Sequence, residues 1–347
     1  MSTTAPPTAV RARPLDVAVI GAGSYGTCLA ILLAGAGHRT TLWARGDALS
    51  RELEDGRENR AYLPGFRFPD GLRVTSDLQT AIGGKAIVLG VTPSHAIRDV
   101  LGRAAAWLDP DVVVVNASKG LEDGTLATIE RVYRDIFPAR IAGRATYLSG
   151  PTFAAEIAGG MPSAIVLAGR DPETTAFVQR EISTDRVRTY STDDVTGVLV
   201  GGAIKNVIAI AAGVSDGLGF GSNARAALIT RGLAEITRIG VAMGAETATF
   251  AGLSGMGDLV LTCSSDTSRN RKVGLALGQG RTMTDILADM RMVAEGVKTT
   301  KVAWELARSL GVAAPITEVM HAIVHEGAPA RAAMQRLSTR SLRSERD

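Results

Sequence analysis

A short apolar run, Asp16 to Ile20, leads straight into Gly21-Ala-Gly23-Ser-Tyr-Gly26, and a helical pattern over Tyr25 to Ala36 follows, closed by Gly37. Few folds place glycines at this spacing between a strand and a helix. The first lets the chain turn tightly, the second lets a ligand's phosphates approach the backbone, and the third lets helix and strand pack closely. The start of the helix adds free N–H groups and partial positive charge. A glycine-rich turn alone is a weak signal. Set near the N-terminus of a βαβ pattern, this one points to dinucleotide binding through Gly21, Gly23 and Gly26.

The rest of the first half extends that pattern. Strands are predicted over Thr40–Ala44, Ala86–Val91, Val112–Asn116, Ala145–Leu148, Ala164–Ala168 and Val187–Tyr190. Several are continuous apolar runs, as expected of strands covered on both faces. Strands alternating with helices predict an α/β fold with a doubly wound, mostly parallel sheet. After Thr192 only helical periodicity remains, over Val195–Val214, Asn223–Met243, Thr284–Met290, Lys298–Leu310 and Pro315–Glu326. The 347 residues suit two domains. The expected division is a flexible tail over 1–14, a dinucleotide-binding domain over 15–191, a helical domain over 192–328 and a basic C-terminal tail over 329–347.

A net charge of +3, from 38 basic and 35 acidic side chains, is too mild to argue for nucleic acid. Cys28 and Cys263 form no framework and no metal-ligand spacing, so a reduced, cytoplasmic chain is expected. Residues 1–14 have no apolar core and do not read as a signal peptide. Val195 to Ser215 is long and apolar, but Lys205 and Asn206 fall at its middle. A charge there costs roughly 3 kcal/mol in a bilayer, so a buried helix is expected rather than a membrane span.

Two regions carry the chemistry. At the end of the second strand there is no carboxylate; Arg45 stands just beyond it and can pair with a ribose 2′-phosphate, favouring NADP, while nearby Asp47 leaves NAD open. In the apolar helix, burial of Lys205 would disfavour its ammonium and lower its pKa, fitting it to exchange a proton during alcohol–ketone interconversion. Gly197, Gly201 and Lys205 share one helix face, and the glycines are expected to leave room beside the amine. Asp258 could hold Lys205 or accept from a substrate hydroxyl. Ser268, Arg269 and Asn270 are contiguous donors suited to a phosphate, though as bare sequence they read more readily as turn and capping residues. Lys119 follows a strand end, where doubly wound sheets bind ligands, and Ser149 to Ala154 follows another.

These segments together resemble one family, the bacterial-type NAD(P)-dependent glycerol-3-phosphate dehydrogenases. The resemblance spans residues 15–328 in order: GAGSYGT (21–27), LWAR (42–45), YLPG (62–65), VTPSHAIR (91–98), SKGLE (118–122), LSGPTFA (148–154), GGAIKNVIAI (201–210), LSGMGDLVLTC (253–263), SRNR (268–271) and VAEG (293–296). It implies an N-terminal Rossmann domain and a C-terminal all-helical domain like that of 6-phosphogluconate dehydrogenase. It also implies Lys205 as proton acceptor, and Lys119, Gly150, Thr152, Asp258, Ser268, Arg269 and Asn270 around glycerol 3-phosphate. Ser24, Tyr25, Arg45, Lys119, Ala154, Arg269, Val293 and Glu295 would contact the cofactor, NAD or NADP. A homodimer and reduction of dihydroxyacetone phosphate toward glycerophospholipids are further implications.

The nearest alternative is a β-hydroxyacid dehydrogenase, which shares the glycine-spaced lysine helix and Asn206 but needs carboxylate recognition. A nicotinamide-sensing protein without turnover is a second, opposed by the intact lysine helix. No metal is expected: His321 and His325 have a zinc-like spacing but lack the adjacent glutamate of a metalloprotease, and read as surface or packing residues.

Overall fold

Residues 13–290, 294–339 and 344 are described by the computed structural model. Ten strands form among them: β1 (Asp16–Ile20), β2 (Arg39–Trp43), β3 (Glu58–Asn59), β4 (Leu63–Arg67), β5 (Leu72–Thr75), β6 (Ile87–Gly90), β7 (Val113–Asn116), β8 (Thr146–Ser149), β9 (Ser163–Gly169) and β10 (Val187–Thr192). Eight of them make one sheet in the order β10-β9-β8-β7-β6-β1-β2-β5, while β3 and β4 pair separately as an antiparallel ribbon. All residues of β6, β7 and β8 are buried, because helices cover both faces of the sheet. Two apolar clusters line those faces, one around Val17, Leu29 and Leu89, the other around Ile20, Val88 and Tyr133. Strand order reverses between β1 and β6, and a crevice for ligands opens beyond the carboxyl ends of strands at such a point.

One pair departs from parallel. β9 runs antiparallel to β8, and β10 runs parallel to β9, so β10 ends at the side of the sheet remote from the crevice. The chain then turns into the Val195–Gly217 helix, 23 residues and about 34 Å long. Asp194 caps it by accepting from Gly197 N (2.9 Å), and also takes Glu246 N (3.0 Å) and Thr249 Oγ1 (2.6 Å). Val195, Val198 and Leu199 belong to the sheet's core, whereas Val200, Ala203 and Ile204 onward belong to a separate helical core. This central helix is thus buried along its apolar length inside the protein, as its mid-helix lysine implied.

Expected elements fall within a few residues of their observed ends, but several were not foreseen. β5 is a four-residue edge strand, too short to show a period. The helices Asp258–Ser264 and Arg269–Gly278 arise from segments read mainly for their polar side chains. The basic tail expected over 329–347 needs correction at its start. Ala330–Ser338 is a helix, and its Ala333 and Met334 are buried in the helical core. The expected tail over 1–14 lies outside the described residues except for 13 and 14.

Candidate active site

Local glycine geometry prepares the cofactor side. Gly21 has φ +122°, and a Cβ there would come within 2.7 Å of the Val91 carbonyl oxygen. A Cβ on Gly26 would collide with the Gly21 carbonyl, so this glycine is the close-packing one, whereas Gly23 faces open space. That open face at the start of the Ser24–Gly35 helix fits a pyrophosphate. Asn59, fully buried, braces the turn from below by donating to Ala22 O (2.9 Å) and Thr27 Oγ1 (2.8 Å). Ser24 donates to Tyr62 O (2.6 Å). Nothing in the sequence flagged Asn59 or Tyr62 in this supporting role.

Just past β2, Arg45 is exposed, and Gly46 at φ +95° turns the chain into the Asp47–Gly56 helix. The Asp47 carboxylate accepts from Ser76 Oγ (2.6 Å) and is therefore already engaged. A charged guanidinium at the strand end, with the Asp47 carboxylate bonded to Ser76, suits an anionic ribose substituent.

The chemical side centres on one carboxylate between two ammonium groups. Lys205 donates to Asp258 Oδ1 and, at 2.7 Å, to Thr262 Oγ1. Lys119 donates to Asp258 Oδ2 (2.7 Å), Gly150 O (2.9 Å) and Thr152 Oγ1 (3.0 Å). Lys205 is only 6% exposed and Asp258 1%, so these are desolvated charges held by pairing. Burial pulls the Lys205 amine from 10.5 down to about 8; the Asp258 carboxylate opposes that shift and the Lys119 charge adds to it. Gly150 accepts its bond with φ +111°, a conformation suited to glycine. The buried Tyr25 hydroxyl lies by Thr152 and Asp258, and burial raises its pKa well above 10. Ala154 begins the short Ala154–Ala158 helix just beyond.

Thr262 was missed, although its place four residues after Asp258 on one helix face was a legible signal. The expected role of Gly197 and Gly201 is corrected. A Cβ on Gly197 would run into Asp194 and Thr249, and one on Gly201 would lie 2.8 Å from Ser254 O. Gly197 makes room for the capping carboxylate and the Thr249 side chain, whereas Gly201 admits neighbouring backbone, so that the Leu253–Gly257 π-turn leading into Asp258 can sit against the central helix. Gly202 is the one facing the site, close to Ser149 Oγ (2.8 Å from a built Cβ) and the Lys119 stem.

On the far wall, Ser268 caps the Arg269–Gly278 helix by accepting from Arg271 N (3.3 Å), so its hydroxyl does take a capping role. Arg269 is exposed; crowding by protein around its guanidinium lowers its basicity, and the Glu295 carboxylate opposes that. Asn270 donates to Asn206 Oδ1 (2.9 Å) and accepts from Gly296 N (3.0 Å). Glu295 accepts from Ser94 Oγ (2.8 Å), a cross-domain bond that sequence reasoning did not anticipate. Val293 lies outside the described residues.

The remaining chemistry-bearing residues are accounted for by packing. His321 stacks on Trp304 with centroids 4.0 Å apart, and His325 Nε2 bonds the Val297 carbonyl (2.9 Å). Both cysteines are free, buried and pushed up to about 12 by burial, hence inert thiols.

A dinucleotide-type sheet joined to a helical domain, with a desolvated lysine between them, defines a two-domain nicotinamide-dependent dehydrogenase. Residues 16–175 match the family model for the N-terminus of NAD-dependent glycerol-3-phosphate dehydrogenase, and residues 194–335 match that for its C-terminus. A glycerol-3-phosphate dehydrogenase [NAD(P)+] of Geobacter sp. (strain M21) is 54% identical over 329 residues, 95% of this chain and 98% of that protein. The Syntrophotalea carbinolica protein of the same name is 51% identical, covering 96% of this chain and 100% of its own. The crystal structure of glycerol-3-phosphate dehydrogenase from Coxiella burnetii superposes with a TM-score of 0.89 at 36% identity, covering 94% of this chain and 99% of that one. This chain belongs to the NAD-dependent glycerol-3-phosphate dehydrogenase family.

Proposed function

We infer that this protein interconverts glycerol 3-phosphate and dihydroxyacetone phosphate with NAD(P)+ and NAD(P)H, and that Lys205 carries the proton. The observation that carries the reading is the buried Lys205 amine, titrating at about 8 beside Asp258 and Thr262, at the wall shared by the two domains. The nicotinamide supplies or takes the hydride when bound. Gly21, Gly23, Ser24, Tyr25 and Gly26 would hold its dinucleotide, with Ala154 and Glu295 as further contacts.

As a neutral amine, Lys205 takes the proton of the C2 hydroxyl during oxidation; as an ammonium it returns that proton to the C2 oxygen during reduction. Asp258 and Thr262 hold Nζ in one place, so the proton moves to and from a fixed atom. Lys119, positioned by Gly150 O and Thr152 Oγ1, supplies a second positive charge near the developing oxyanion. Ser268, Arg269 and Asn270 bind the phosphate, Arg269 as the charged partner and the helix start as a source of N–H groups.

Exposed Arg45 and the engaged Asp47 favour NADP over NAD. The physiological setting consistent with this chemistry is cytoplasmic reduction of dihydroxyacetone phosphate for glycerophospholipid synthesis by a homodimer. The β-hydroxyacid alternative loses ground, since the family models and curated relatives are those of glycerol-3-phosphate dehydrogenase.

Steady-state oxidation of NADPH and NADH, side by side, with dihydroxyacetone phosphate and with a panel of short oxoacids tests the reading. Turnover with the phosphorylated ketone is expected, faster with NADPH. Activity confined to the oxoacids would overturn it.

A further inference from the structure

Asn206 follows the catalytic lysine in the central helix and is 5% exposed, and Asn270 is 9% exposed in the next helix over. The polarity of their contacts is fixed by one backbone group. Gly296 N–H can only donate, so the atom of Asn270 facing it at 3.0 Å is its oxygen. Asn270 Nδ2 therefore faces Asn206, and at 2.9 Å Asn206 presents its oxygen in turn. The row has no slack, because a Cβ on Gly296 would lie 2.8 Å from both Asn206 O and Asn270 Oδ1. One residue earlier, Glu295 takes the Ser94 hydroxyl from the sheet domain at 2.8 Å. Three helices and the opposite domain thus meet along one line of hydrogen bonds.

We propose that Asn206 is a positioning residue that, with Gly296 N–H at the other end, clamps the amide of Asn270 in one plane, so that an Nδ2 hydrogen and never the carbonyl oxygen is presented to the substrate's phosphate. Asn270 Nδ2 has two hydrogens; one goes to Asn206, and the other makes no further bond among the described residues. An amide turned over would set an oxygen lone pair against a phosphate dianion. The proposal rests on the reading of Ser268 to Asn270 as the phosphate site, and it predicts a defect that follows the phosphate, not the hydride.

The test compares kcat/KM for dihydroxyacetone phosphate and for unphosphorylated dihydroxyacetone, with NADPH, in the full-length protein. Asn206→Leu removes the acceptor at similar volume. It should lower the ratio of the two constants about tenfold, the scale of a hydrogen bond to a charged group, chiefly through KM for the phosphorylated ketone. The inhibition constant of inorganic phosphate should rise in parallel. Asn206→Asp keeps the acceptor oxygen and should lose less of the ratio than leucine, because Asn270 stays turned while the added charge, one amide away, opposes the phosphate dianion. Asn206→Ala serves if the leucine variant fails to fold. Equal losses on both substrates would reduce Asn206 to a structural residue and overturn the proposal, as would an aspartate variant as impaired as leucine. A wild-type protein inert toward dihydroxyacetone phosphate would instead overturn the function itself.

Discussion

In the proposed reaction Lys205 does two opposite things in the two directions, and its environment would set the pH at which each is done. With the amine at about 8, oxidation of glycerol 3-phosphate, which needs the neutral form, should gain rate as pH rises through about 8. Reduction of dihydroxyacetone phosphate, which needs the ammonium, should lose rate over the same range. Profiles of kcat/KM in both directions check this, and two profiles of the same slope would contradict it. The same group affects stability. Between about 8 and the ordinary value of 10.5, the unfolded chain holds a proton that the folded chain has released, so this contribution to stability improves as pH climbs. Below about 8 both forms hold the proton, and the burial cost is felt in full. Removing the amine by Lys205→Ala should cut turnover at least about 100-fold, the lower scale of general acid–base catalysis. Fluorescence titration should find NADPH binding largely kept, and near-normal turnover would take Lys205 out of the chemistry.

At the scale of elements, the sequence told most where a period was long or a glycine had a single use. The glycine turn after β1 and the buried helix around Lys205 are of this kind. The edge strand β5 was hidden because four residues, one side of them exposed, carry no alternation to read. Thr262 stands in plain spacing from Asp258, yet in sequence the seven-residue segment holding both is too short to show a helical period. Ser94 and Glu295 are 201 residues apart, and no local pattern announces a bond made only by tertiary packing. Gly201 was placed on the correct helix but given the wrong neighbour: it admits the Ser254 carbonyl, not a ligand. Gly201→Ala should therefore act as overpacking, pushing the π-turn and Asp258 off the helix at a cost of about 1–3 kcal/mol. Urea unfolding would measure that loss, and a variant of wild-type stability would show that the turn gives way freely.

For the molecule as a whole, side-chain bonds cross between the sheet and the helical part. Lys119 reaches Asp258, Ser94 reaches Glu295, and Lys301 reaches Asp123 at 3.2 Å. A dinucleotide held by both sides would bind the folded protein alone. NADPH at 100 times its dissociation constant should then add about 2.7 kcal/mol of stability, read as a rise in Tm. An unchanged melting curve would mean that the cofactor site is not formed.

β9 and β10 both run against the direction of the rest of the sheet. This reversal starts the central helix at the end of the sheet away from the crevice, with Asp194 clamped there by three bonds. The helix then works as a ruler: Lys205 stands eleven positions from that anchor, its height and bearing set by a count of residues. One residue inserted within that count would turn the amine by about 100°. Point substitutions leave that count intact and act through packing instead, since every position from Val195 to Lys205 except Thr196 is buried.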